Sequence, residues 1–269
     1  MASAAALDDR TIGRIASRAP VARPDKIPES GASWRGRVVP LPSRRAPADF
    51  EAPEVFGRAA LRKIAGALPP IERAYANVRF SILRPKLLSV MDLLLTDEGR
   101  VLDVGCGFGL FAAYFGQTGP RRRVVGIDPD ARRIDLASRV ATKLGLAGHR
   151  FHIGDVRTAE IEGQFDAAYV LDVMHHIPKD DQLAVLSHLY DVLVPGGVLL
   201  IKDITTEPRH ELLFTELLDR LMVGWDEELA YRHHKEWGEM LAELGFKVRI
   251  VRVPDILPYP HIVIAATKV

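Results

Sequence analysis

The stretch VLDVGCGFG, Val101 to Gly109, places an apolar run ending in an acid directly before glycines at 105, 107 and 109. A short apolar run bounded by turn residues predicts a buried strand, and the glycines behind it predict a tight turn into a helix. Lacking Cβ atoms, Gly105, Gly107 and Gly109 accept positive φ and allow a ligand close to the backbone, while the next helix offers unpaired N–H groups. In a doubly wound sheet this first loop is a usual ligand site.

The chain downstream fits such a sheet. From Arg100 onward short apolar strands alternate with helical segments, which predicts a parallel sheet covered on both faces. The strands are RVLDV (100–104), RVVGID (123–128), HRFHIGD (149–155), FDAAYVLD (165–172) and GVLLIKD (197–203), with helices near 109–118, 131–144 and 180–192. Pro195, Gly196 and Gly197 read as the turn into the fifth strand. A long helical stretch, about 208–244, precedes FKVRIVRV (246–253) and HIVIAATKV (261–269), which can pair antiparallel at one edge. Before Arg100, two helical segments, VFGRAALRKIAGAL and IERAYANVRFSILRPKLLSVMDLLL, flank Pro69 and Pro70. The first 50 residues are rich in proline and arginine with little apolar periodicity, and read as a disordered or loosely attached tail. The division expected is therefore a tail (1–50), a helical preface or lid (51–98) and one α/β domain (99–269).

Spacing narrows the ligand of the glycine loop. A dinucleotide fingerprint is G-x-G-x-x-G, and position 110 is leucine, so the third glycine arrives one residue early. Asp103 would repel a phosphate and attract an ammonium, so the loop suits a zwitterion. A nicotinamide oxidoreductase is disfavoured on both grounds. Asp128 ends the second strand about 20 residues on, where an acid can accept hydrogen bonds from two ribose hydroxyls. In GDV, after the third strand, Asp155 can accept from an exocyclic amino group and the Val156 N–H can face a ring nitrogen, as adenine requires.

These stretches together resemble the class I S-adenosylmethionine-dependent methyltransferases. VLDVGCGFG is similar to the family's first motif, GIDPD to its ribose acid, GDV to its adenine contact, FDAAYVLDVMHHI and LVPGGVLLIKD to its fourth- and fifth-strand motifs. The resemblance implies an α/β fold, a doubly wound seven-stranded mostly parallel sheet with the last strand antiparallel, carrying here an N-terminal helical extension. It implies S-adenosyl-L-methionine as cofactor, with Gly105 and Gly107 at its methionine end, Asp103 near its amino group, Asp128 on ribose, Asp155 and Val156 on adenine, and the Leu171 carbonyl near the amine. Cys106 is given a packing role.

Methyl transfer from a sulfonium is an in-line displacement, so the protein mainly supplies alignment, and a base is needed only where the acceptor must lose a proton. His175 and His176, in DVMHHIP just past strand four, are the candidate acceptor-facing groups, with His175 preferred. Lys202 and Asp203 end strand five and face either the cleft or solvent, and Asp203 joins the catalytic candidates; Asp172 can cap the turn. His233 and His234 read as helix surface, and since adjacent helical residues point about 100° apart, no metal site is expected. The segments 73–83 and 212–225 are amphipathic enough for a lid and an acceptor wall.

Whole-chain properties set the remaining expectations. Charges nearly cancel, with a formal net charge of +1, and strand four lacks an N/D-P-P-Y/F run, so a small organic or lipid-like acceptor, methylated at oxygen or carbon, is expected in preference to nucleic acid. No apolar run approaches the roughly 18 residues that span a bilayer. Asp8 and Asp9 interrupt any signal-peptide core, and the single cysteine fits a reducing compartment, so a cytoplasmic protein is expected. The rival reading is a non-catalytic cofactor-binding or scaffold protein of the same fold.

Overall fold

The structure, a computed structural model, describes residues 15–17, 54–213, 215–216, 229–252 and 260–269. Seven strands form one sheet: β1 (Glu98–Val104), β2 (Arg121–Asp128), β3 (Arg150–Ile153), β4 (Phe165–Leu171), β5 (Leu193–Ile204), β6 (Phe246–Arg252) and β7 (His261–Lys268). Their spatial order is β3-β2-β1-β4-β5-β7-β6. The first five run parallel, and β7 runs antiparallel to both β5 and β6. The antiparallel last strand is therefore present, but inside the sheet, with only β6 at the edge. Residues 261–266 of β7 are all buried, as an interior strand requires, whereas Lys247 and Arg249 in β6 suit an edge.

The order reverses between β1 and β4, which opens a crevice at the carboxyl ends of the strands. Helices α4 (Leu110–Thr118) and α5 (Ala131–Lys143) cover one face, and α6 (Lys179–Val192) and α7 (His234–Glu243) the other. Asp130 caps α5 by accepting from the N–H groups of Arg132 and Arg133 at 2.8 and 3.1 Å. In β5, the Pro195-Gly196-Gly197 stretch lies within the strand as a bulge against β4 instead of preceding it, with Gly196 at φ 79°.

The helical preface is three helices where the sequence reads as two: α1 (Glu54–Ala67), α2 (Pro70–Ile82) and α3 (Pro85–Leu94). Pro85 ends the second run, because the residue before a proline avoids helical ψ; Arg84 adopts ψ 160° and α3 restarts at the proline. These helices pack into the same core as α4: Ile64, Leu68, Phe80, Leu87, Leu88 and Met91 join Phe111 and Phe115 in one buried cluster. Of the first 50 residues, only Ile15–Ser17 is described, and it pairs antiparallel with Ala159–Ile161. The expected helix over 208–244 is interrupted: 229–233 is not helical, α7 begins at His234, and 214 and 217–228 lie outside the described residues. No helix among the described residues is long and apolar enough to cross a membrane.

Phe80 of α2 meets Phe111 of α4 edge to face, with ring centroids 6.3 Å apart. Truncating a buried phenylalanine costs about 3–5 kcal/mol. Phe80→Ala is expected to lower the free energy of denaturant unfolding by that amount within a single transition; a separate early transition for α1–α3 would show that the preface folds independently.

Candidate functional site

The glycine loop, Asp103, Asp128, Asp155, Leu171 and Asp203 lie at or just past the carboxyl-terminal halves of their strands. Gly105, Gly107 and Gly109 have φ of 70°, 52° and 72°, a backbone that only glycine adopts without strain. The loop is held against β2, since the N–H groups of Gly105 and Cys106 both donate to the Ile127 carbonyl, at 2.9 and 3.0 Å. A Cβ at Gly105 would come within 2.5 Å of Val173, and one at Gly109 within 3.0 Å of Ala137. A Cβ at Gly107 would meet nothing within 4 Å. Gly107 is thus the point where the loop backbone is open to an incoming group.

Asp128 anchors the same loop. Its Oδ2 accepts from the Gly107 N–H and its Oδ1 from the Asp130 N–H, each at 3.0 Å. A carboxylate has about four acceptor positions, so these two bonds leave capacity for hydroxyl donors. Arg133 lies 4.0 Å from Asp128, close enough to keep the local charge balanced.

Asp103 is opposite Tyr169 in the β1–β4 register and is almost fully buried. Its Oδ2 makes no well-formed hydrogen bond, with the Tyr169 hydroxyl and the Ala112 N–H near the carboxyl. Burial pushes the Asp103 pKa up to about 7; the Tyr169 hydroxyl opposes this and the Asp128 charge adds to it. A buried carboxyl oxygen with no well-formed hydrogen bond is suited to an incoming ammonium. Cys106 is also buried, and burial raises its thiol pKa well above the ordinary value, so it is an uncharged packing group.

Asp155 and Val156 follow β3. Arg157 engages the Asp155 carboxylate with Nε 3.0 Å from both oxygens, and this pairing lowers the Asp155 pKa. Any amino group at Asp155 therefore shares the carboxylate with Arg157. Leu171 ends β4, and Asp172 follows it at φ 52°.

The fifth strand departs from the expected arrangement. Successive residues point to opposite faces of a strand, so Lys202 and Asp203 enter different networks, and both are buried instead of forming a surface pair. Lys202 Nζ pairs with Asp172 Oδ1, and Arg79 from α2 reaches Asp172 Oδ2 at 2.8 Å. Burial opposes ionisation of Asp172, but Lys202 and Arg79 outweigh it and hold the carboxyl well below the usual carboxylate range. His261, across the sheet from Ile204, is buried beside this group; burial and the Lys202 charge depress its pKa to about 3.

On the other face, His175 Nδ1 lies 2.6 Å from Asp203 Oδ1, and both side chains are at most 2% exposed. The Ile204 N–H donates to the same Asp203 oxygen at 2.8 Å. Tyr231 stacks on the His175 ring, with centroids 5.2 Å apart, and the Ala230 N–H donates to the His175 carbonyl at 2.7 Å. Gln182 on α6 reaches the carbonyls of Met174, Ile177 and Ala230, clamping residue 230 to the turn that carries His175. His176 lies beside His175, with ring centroids 4.2 Å apart, and Asp203 bonds to His175.

His233 caps α7 by accepting from the Lys235 N–H at 3.2 Å, and His234 Nδ1 lies 3.0 Å from the Thr205 hydroxyl. Among the described residues no three His, Cys, Asp or Glu side chains converge as a metal cage. Of the two amphipathic stretches, 73–83 lies over the glycine loop, with Tyr75 edge-on to Phe108 at 5.6 Å, while most of 212–225 lies outside the described residues. Arg79, Gln182 and Tyr231 lie outside the motifs, and Tyr169, although inside FDAAYVLDVMHHI, carries no signal of its own.

Residues 101–197 match the family described as "Methyltransferase domain". A ubiquinone biosynthesis O-methyltransferase of Dinoroseobacter shibae is 33% identical over 110 residues, 41% of this chain and 43% of that protein. The chain thus spans less than half the length of this relative. The S-adenosylmethionine-dependent methyltransferase SibL, in its apo form, superposes with a TM-score of 0.62 at 22% identity, covering 81% of this chain and 70% of its own. Magnesium protoporphyrin IX methyltransferase from Synechocystis PCC 6803, solved with bound S-adenosylhomocysteine, superposes at 0.56 and 20% identity, covering 79% and 94%. Residues 101–197 are therefore similar to a methyltransferase domain, and the fold is one shared with S-adenosylmethionine-dependent methyltransferases.

An acid whose folded pKa lies above its unfolded value contributes stability that is complete below the unfolded pKa and is lost as pH rises through the folded one. For Asp103 the window runs from about 4, the unfolded value, to about 7. Asp103→Asn cannot ionise. Its thermal midpoint relative to the parent protein is expected to climb as pH is raised from about 5 to about 8; a difference that stays constant across that range would contradict the assignment.

Proposed function

We propose that this protein transfers a methyl group from S-adenosylmethionine to a hydroxyl oxygen of a small organic or lipid-like acceptor, with His175 as general base. The observation that carries this reading is the buried His175–Asp203 pair, 2.6 Å apart. The O-methyltransferase name of the Dinoroseobacter relative supports an oxygen acceptor.

The cofactor fits the residues present. The Gly107 backbone is open, Asp103 offers a buried carboxyl oxygen with no well-formed hydrogen bond, and Asp128 retains acceptor capacity. Asp103 would hold the ammonium, Gly105, Gly107 and Gly109 the methionine end, Asp128 the ribose, Asp155 with Val156 the adenine, and the Leu171 carbonyl the amine. When bound, S-adenosylmethionine supplies an activated sulfonium methyl and departs as a neutral thioether.

The protein's own contribution begins at Asp203. A carboxylate only accepts, so Asp203 Oδ1 fixes the hydrogen of His175 on Nδ1 and makes Nε2 the basic atom. His175 Nε2 takes the hydroxyl proton as the acceptor oxygen forms its bond to the methyl carbon. Tyr231 and the Gln182 clamp hold the ring in place. His176 helps shape the pocket. The scaffold reading is less favoured, because a fold that only bound cofactor would have no use for an oriented buried base.

His175→Gln is expected to lower kcat by about 10²- to 10⁴-fold, and Asp203→Asn, which permits the wrong tautomer, by a similar factor. Both should bind S-adenosylhomocysteine within a few-fold of the parent protein. Turnover within a few-fold for His175→Gln would remove the base assignment. Gly107→Ala, which adds only about 1–2 kcal/mol of backbone strain, is expected to fold and to lose most of its calorimetric affinity for S-adenosylhomocysteine; unchanged affinity would place the cofactor elsewhere.

A further inference from the structure

Helix α2 buries one face and leaves a second apolar face in water. Its buried side carries Glu72, Ala76 and Phe80. Ile71, Tyr75, Val78 and Ile82 recur at helical spacing along a different side. Ile71 is 79% exposed, Val78 51% and Tyr75 41%, and Leu93 on α3 is 62% exposed. Single exposed apolar side chains are common on protein surfaces, but four of the seven large ones among the described residues lie in α2 and α3. An apolar row aligned along one helix marks a surface that a partner covers.

The same helices are strongly basic. Residues 58–95 hold seven lysines and arginines against two acids, whereas the whole chain has a net charge of only +1. Both acids are matched from outside the preface, Glu72 by Arg132 and Asp92 by Arg122. The attraction this creates is a property of the summed charge and depends on no single ion pair. Charge and apolar exposure together select the partner. A second copy docked on this face by two-fold symmetry would bring like charge against like charge. Nucleic acid would match the cations and leave the apolar row in water. An anionic lipid surface satisfies both, with phosphates for the cations and acyl chains for the row.

We propose that the helical preface docks on an anionic membrane surface, with Ile71 and Val78 of α2 entering the boundary between headgroups and acyl chains and the excess positive charge of residues 58–95 facing the lipid phosphates. The attachment is peripheral, since no helix among the described residues is long and apolar enough to cross a bilayer. The docked helix borders the crevice: Tyr75 packs on Phe108 of the glycine loop, and Arg79 reaches Asp172 at the end of β4. Docking therefore presents the crevice to an acceptor dissolved in the membrane, a consequence that rests on the methyltransferase reading above.

The test uses the full chain and vesicles without cofactor or acceptor, so its outcome is separate from that of the methyltransferase reading. The parent protein is expected to co-sediment with vesicles of phosphatidylcholine and phosphatidylglycerol at least about 10-fold more tightly than with phosphatidylcholine alone, and to be released as salt rises from about 0.1 to about 1 M. Ile71→Ser/Val78→Ser, at exposed positions, should weaken binding by about 10-fold or more at an unchanged thermal midpoint, and Lys86→Gln, also exposed, by about 5-fold. Binding by the double variant equal to the parent's overturns the proposal, as does equal binding to the two vesicle types or none to either. A parent dimer in analytical ultracentrifugation that the double variant abolishes would overturn it too, by assigning the apolar row to a second copy. If the double variant does not fold, Val78→Ser alone decides by the same comparison.

Discussion

The site depends on one carboxylate. Asp128 accepts from the backbone of the glycine loop and from the turn that starts α5, so a single side chain at the end of β2 fixes the position of the loop that follows β1. Three consecutive odd-numbered glycines at positive φ would otherwise have wide conformational freedom. The Ile127 carbonyl and the Asp128 side chain remove it before any ligand arrives. A preorganised loop of this kind spends little binding energy on ordering.

The two-residue period of β5 then divides the edge into two networks. Lys202 projects to the face covered by α2 and α4, where it joins Asp172 and Arg79; Asp203 projects to the opposite face and orients His175. Neighbours in sequence thus join separate networks, one with Asp172 and Arg79 and the other with His175. Two cations share Asp172, which explains how a carboxylate so deeply buried stays ionised despite desolvation. Removing either cation alone leaves a poorly compensated buried charge, so the group behaves as a unit.

The N-terminal helices connect these networks to the rest of the molecule. Leu68, Phe80 and Met91 share a core with α4, which begins at the glycine loop, so a disturbance in the preface reaches the loop through packed side chains. Tyr75 and Arg79 carry the same helix to the loop tip and to the end of β4.

The order of motifs from Val101 to Asp203 is sufficient to read the parallel strands along the chain and the glycine loop between the first strand and its helix, because apolar periodicity and glycine placement are local properties of the chain. The break at Pro85 is also local, but the apolar pattern continues across it and masks it. Other features were beyond sequence reasoning for a different reason. The insertion of β7 between β5 and β6, the pairing of His175 with Asp203 across 28 residues, and the reach of Arg79 across 93 residues to Asp172 are contacts between distant segments, set by how the elements pack. By itself the sequence determined the sheet, the glycine loop and its acids; only the tertiary structure decided which of those acids would be shared, buried or paired, since that depends on what the fold brings beside each one.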